Sequence, residues 1–454
     1  MLNWSWVERG IGSFVMVAAG GSSNGRWRPF VTLAVTALAG LALAVALVVS
    51  SRSGCLTLPW CREKRRHPLT RKEWNNFFSR DGKLRGGGIK FLAKVRSGGV
   101  DPSVRAEVWP FLLGVYVQIT AYDHLTVWCS YDMNSSRAER DAIREQRRKA
   151  YEKLRRQCHQ SADGDDKRSS TDETESSDSQ SSTGEPTMAN PAAVDLATWQ
   201  RIIRLDAIRA DAEWIPYSPP QAAVREAEAL RLASAVGFTD YGDMEPCRVY
   251  HAARLVAVLE AYALHDPEIG YCQGMSDLLS PILAVMEEDD EAFWCFVGFM
   301  KRARHNFRHD QAGIQRQLQV VSKLIKLHDA DLYQHLEKLQ AEDCAFAFRM
   351  VLVALRRELT FGQTLCLWEV MWADQAAVRA GYRGRRTRSA PPTDDLLLYV
   401  IAACVLQRRK AIMERFNSVA EIQKEFNNIA GQLDIWKLLD DAQGMVAALH
   451  DKIE

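Results

Sequence analysis

Net charge is almost absent from this chain. Its 58 basic and 57 acidic side chains leave a formal +1, so no global field draws it to nucleic acid. Cysteine is present but never clustered. The ten cysteines contain no CxxC and no Cys/His group at zinc-ligand spacing, which excludes a zinc-finger framework and leaves reduced thiols as the reading. GxxxxGK[ST] is missing, which excludes a P-loop NTPase, and neither HExxH nor the protein-kinase motif set occurs. Period-2 alternation is scarce and no repeat recurs at a constant period, so neither a large sheet nor an ordinary helical solenoid is expected. The chain shows no metal site and no cofactor site of its own.

What remains is apolar material in helical patterns. Of 454 residues, 47% are hydrophobic and 25% charged, enough for a sizeable core. From Leu69 onward, apolar residues recur at helical spacing, as in Val249, Leu255, Val258, Leu259 and Tyr262. Glycine and proline separate such segments, and the expectation is an all-α domain of many packed helices. The stretch 159–190 is acidic, serine-rich and poor in large apolar residues, and is expected to be disordered. A basic stretch at 374–394, ending in Pro-Pro, reads as an exposed loop.

One uncharged run stands apart. Phe30–Ser50 would span about 31 Å as a helix, close to the thickness of a bilayer core. Seven basic residues between 52 and 72 follow it, against Arg9, Arg26 and Arg28 before it, which places the following chain on the cytoplasmic side. The division expected is a tail at 1–29, a single transmembrane helix at 30–50, a basic juxtamembrane linker at 51–68, a globular domain at 69–440 and a helix end at 441–454. A cleaved targeting segment and a leader with no membrane role are the alternatives for the apolar run.

Two short stretches could carry chemistry. In IIRLDAIR, Asp206 and Arg209 stand three apart and share a face if the segment is helical, so the carboxylate could restrain the guanidinium. A plain surface ion pair explains that spacing equally well. In GYCQGMSDLLSP, Gln273 and Gly274 could form a helix-start turn with Ser276 as its cap, or the carboxamide could hold a water molecule.

In this order, GGVDPSVRAEVWPFLLG, IIRLDAIR and GYCQGMSDLLSP resemble the three signature motifs of the TBC domain family, activators of Rab-type small GTPases. The resemblance covers residues 69–440, and FRMVLVALRRELTFGQTLCLWEVMW is similar to the family's downstream helix pair. It implies a two-lobed, all-α fold and two catalytic residues acting on a partner's GTP. Arg209 stands at the arginine-finger position and Gln273 at the glutamine-finger position, with Asp206, Tyr271 and Gly274 in support. Arg105 and Trp109 match the first motif, where the arginine is mainly structural, and Met275, Asp277 and Pro281 match the third. The sequence departs from the family at Ala210, Met350 and Glu369, where Thr, Trp and Asp are usual. The implied partner is a GTP-bound, lipid-anchored Rab carrying its own Mg²⁺ on the cytosolic face of an endomembrane. A catalytically inactive GTPase-binding scaffold in membrane trafficking is the alternative.

Overall fold

The structure is a computed structural model, and it describes residues 67–116, 133–169, 191–239, 241–382 and 390–453. The expected transmembrane helix at 30–50, the tail before it and residues 51–66 of the linker lie outside the described residues. Among the described residues, no helix is long and apolar enough to cross a membrane. Nor is there a strand among them, only isolated bridges pairing Leu69 with Val100 and Phe78 with Leu84.

The domain opens on α1 (Arg71–Asn76), started by a capping box in which Thr70 and Glu73 satisfy each other's backbone N–H groups. Then come α2 (Ile89–Gly98), α3 (Arg105–Leu112) and α4 (Arg137–Ser169). Helix α4 enters the stretch expected to be disordered and makes its first eleven residues helical, while 170–190 lie outside the described residues. Each residue added to an existing helix closes a hydrogen bond without a new nucleus, so the helix outlasts its apolar pattern.

Helices α5 (Pro191–Ile208), α6 (Glu226–Ala235), α7 (Pro246–His265), α8 (Met275–Val285) and α9 (Asp289–Ala303) follow. Helix α7 is buried on nearly all sides, as its apolar circumference dictates, and α4, α5, α6, α8 and α9 pack around it. A second set forms around α13 (Phe361–Arg379) and α14 (Leu396–Gln407). There α13 packs on α2 and α3, α14 packs on α10 (Ala312–His328), and both meet the final helix. Helices α11 (Ala330–Lys338), α12 (Phe348–Leu352), α15 (Arg409–Arg415) and α16 (Val419–Asn427) complete this set.

Two boundaries differ from those read in the sequence. The last helix, α17 (Ile435–Ile453), crosses residue 440 unbroken and buries Leu438, Leu439 and Ala442, so the domain includes the segment set apart at 441–454. The loop expected at 374–394 begins later, because α13 continues to Arg379 with Asp374, Gln375 and Ala376 buried. Its charge is matched inside: Arg96 on α2 pairs with Asp374, and Arg96 also donates to the Ala390 carbonyl at 3.1 Å.

Candidate functional site

The carbonyl end of α8 is fixed from beneath by a buried cation on α7. Arg254 donates to the carbonyls of Leu283 (3.1 Å), Met286 (2.9 Å) and Glu287 (3.0 Å), and to Asp289 at 2.6 Å. These carbonyls would otherwise be orphaned at a helix terminus. Further along α8, His251 hydrogen-bonds Ser280 and Gln221 at 2.9 and 3.0 Å and stacks on Trp214.

The opposite end of α8 carries Gln273. Gly274 is the residue before the helix, with φ 101°, a conformation that L side chains rarely adopt. A Cβ there would also lie 3.2 Å from Val353 Cγ1, so both close approach and backbone freedom are used. Ser276 does not cap the helix, since α8 starts without a side-chain cap. Gln273 itself is exposed. The preceding loop is rigid: Arg304 holds Asp266 through two nitrogens at 2.9 Å, and Gly270 N–H bonds the Asp266 carbonyl at 2.8 Å.

Helix α5 and the loop 266–274 meet at two places. Gly270, at φ 61°, lies so close to Trp199 that a Cβ would sit 2.2 Å from the indole ring. One residue on, the Tyr271 hydroxyl donates to Asp206 Oδ2 at 2.7 Å. The other oxygen of that carboxylate faces Arg209 at 3.8 Å, an ion pair rather than a close hydrogen bond. Arg209 stays 68% exposed, whereas Asp206 is 9% exposed. Burial, and then the neighbouring Asp206 carboxylate, push the Tyr271 phenol well above its usual range, so it stays a hydrogen-bond donor.

Thus Tyr271 and Asp206 join the loop before α8 to α5, Arg209 faces the same carboxylate, and Gln273 and Gly274 follow Tyr271 in that loop. Arg105 and Trp109 belong to a separate buried cluster on α3. Both donate to Glu369 Oε1, at 2.7 and 3.1 Å, while the Val100 N–H donates to its other oxygen at 2.8 Å. Glu369 is fully buried, and burial raises its carboxyl despite the pull of Arg105. The longer acid found where Asp was expected is therefore the hub that joins the α2–α3 corner to α13.

Sequence reasoning gave no role to Gly270, Asp211 or Glu213, and it matched Asp277 to the third motif without a partner. Asp211 and Glu213 both receive Arg356, at 2.9 and 3.2 Å, and Asp277 receives Arg357 through two nitrogens at 2.8 and 3.1 Å. Runs of charge in the sequence were the available signal, but only the fold pairs them. A cleft of about 640 Å³ is lined by Phe299, Asn306, Leu352 and Trp372 among others; neither Arg209 nor Gln273 lines it, though Leu352 also borders Gly274.

An all-helical domain, with the guanidinium of Arg209 and the carboxamide of Gln273 exposed at a candidate surface site, defines the class. The comparisons make it specific. The family model described as Rab-GTPase-TBC domain matches residues 248–386. A protein of Arabidopsis thaliana named Rab GTPase-activating protein 22 is 51% identical over 473 residues, covering 87% of this chain and 83% of that protein. GTPase-activating protein GYP7 of Debaryomyces hansenii is 26% identical, and the match spans 84% of this chain but 44% of that protein. The crystal structure of the Ypt/Rab-GAP domain of Gyp1p shares the fold, with a TM-score of 0.54 at 18% identity over 84% of this chain and 98% of that one. The chain belongs to the Rab-GTPase-TBC domain family.

Proposed function

We propose that this chain accelerates GTP hydrolysis by a Rab-type small GTPase, to which it supplies Arg209 and Gln273 in trans. Family membership supports the reaction class. The observation that carries the residue assignment is the 2.7 Å hydrogen bond from Tyr271 to Asp206, which ties the segment bearing Gln273 to the carboxylate that faces Arg209. Both side chains are exposed, so both can reach a group that a second macromolecule presents. Negative charge develops on the transferring phosphoryl group and its leaving oxygen, and a guanidinium neutralises it. The carboxamide of Gln273 offers a donor and an acceptor to hold the attacking water in line, without a charge to repel the phosphate. Mg²⁺ and GTP enter with the partner. Phe30–Ser50 would hold the domain on the cytosolic face of an endomembrane.

The test is single-turnover hydrolysis across a panel of GTP-loaded Rabs, with wild type, Arg209→Ala and Gln273→Ala side by side. Each substitution should lower the stimulated rate by about 100-fold or more for the Rab that wild type serves. An Arg209→Ala protein as active as wild type would refute the finger assignment. Binding without acceleration across the panel would leave a GTPase-binding scaffold.

A further inference from the structure

Arg356 and Arg357 are adjacent, and the proposed reaction uses neither. They follow a turn in which Ala354 and Leu355 both take positive φ, 48° and 60°. That conformation costs an L residue on the order of 1 kcal/mol or more, and it persists where the surroundings over-determine it. Here they do. The Trp368 indole N–H donates to the Ala354 carbonyl at 3.0 Å, Leu355 is fully buried, and Arg349 holds Glu358 at 2.7 Å.

From this fixed turn the two guanidinium groups reach different segments. Arg356, its side chain only 4% exposed, lies over the Phe361 ring at 5.0 Å. It bonds Asp211 and Glu213, in the loop that leaves Arg209. Arg357 grips Asp277 in the first turn of α8, just after Gln273 and Gly274. We propose that the Arg356–Arg357 pair is a positioning clamp that fixes the separation between the Arg209 segment and the Gln273 segment. The proposal deepens the reading of the site given above and rests on it. The hydrogen bond from Tyr271 to Asp206 and the packing of Gly270 on Trp199 join those segments on one side. Attachment of both to one turn ties them at a further place, beyond Arg209 and after Gln273. The clamp bonds are charge-assisted, and only loss of both Asp211 and Glu213 would strand the buried Arg356 charge.

The experiment uses the full chain as wild type, Arg357→Asp, Asp277→Arg and the double charge swap, because this pair is the more exposed half of the clamp. Amide hydrogen exchange is read over 206–214 and 270–278, and single-turnover hydrolysis on the Rab that wild type accelerates. Each single change should speed exchange in both segments and lower the stimulated kcat by about 10- to 100-fold, with KM within about twofold, as expected when fingers are misplaced rather than removed. The swap should restore both readouts to within about threefold of wild type. Arg356→Lys, which keeps the charge and loses the fork, should show the same exchange signature more weakly. Unchanged exchange in both segments, or a folded swap no better than either single change, overturns the clamp. If wild type accelerates no Rab, the functional reading falls, and the exchange data still decide whether the clamp exists.

Discussion

Asp206 divides its two oxygens between a neighbour that is locked and one that is poised. Tyr271 is buried and bonds at 2.7 Å, whereas Arg209 stands off at 3.8 Å and is mostly exposed. Such an arrangement restrains a guanidinium without immobilising it, which suits the phosphate-binding role proposed for Arg209. Tyr271→Phe removes one donor and leaves a buried carboxylate oxygen short of a bond. The expected cost is about 1.5–3 kcal/mol of stability, the range for a hydrogen bond to a charged group, read as a lower urea midpoint. A stimulated kcat lower by about tenfold at similar KM should accompany it. Full activity together with full stability would show that Asp206 orients Arg209 unaided. The i, i+3 spacing of Asp206 and Arg209 was legible because helical periodicity is a local property. The bond to Tyr271 spans 65 positions and was not, and the need for glycine at 270 comes from a Trp199 ring on another helix.

At the scale of elements, the helical segments were legible from their apolar period, and their ends were less so. Helix α13 shows why. Its last turns carry Asp374 and Gln375, which look like solvent-facing residues until Arg96, 278 positions away, packs beside them. Burial pushes the Asp374 carboxyl up to about 6, against the pull of the Arg96 guanidinium. In the unfolded chain an aspartate titrates near 4, to within about a unit. As pH falls from 7, the folded chain therefore takes up this proton before the unfolded chain does. The contribution of Asp374 favours folding more at pH 5 than at pH 7, and this advantage is lost as pH rises through about 6. Asp374→Asn should flatten that part of the stability profile, measured as urea midpoints at pH 5 and pH 7 beside wild type. An unchanged difference between the two midpoints would assign the slope to other buried acids, such as Glu369 and Glu260, which burial also raises.

For the whole molecule, placement matters as much as catalysis. Arg209 and Gln273 are exposed on the described domain, and none of its described helices is long and apolar enough to cross a bilayer; retention on a membrane by Phe30–Ser50 is part of the proposal made above. The sequence reads that run as an anchor from length and flanking charge alone, because the requirement is thickness rather than packing, and the run lies outside the described residues. Confinement of a domain and a lipid-anchored partner to one surface raises their effective concentration without any new contact. Deletion of residues 1–66 should then leave the stimulated rate in solution within about twofold of the full chain, yet lower it on vesicles that carry the GTPase. Carbonate extraction of membranes bearing the full chain should leave it in the pellet. Release into the supernatant would remove the spanning helix from this account, and a truncated chain slow in solution would place residues 1–66 in the reaction itself.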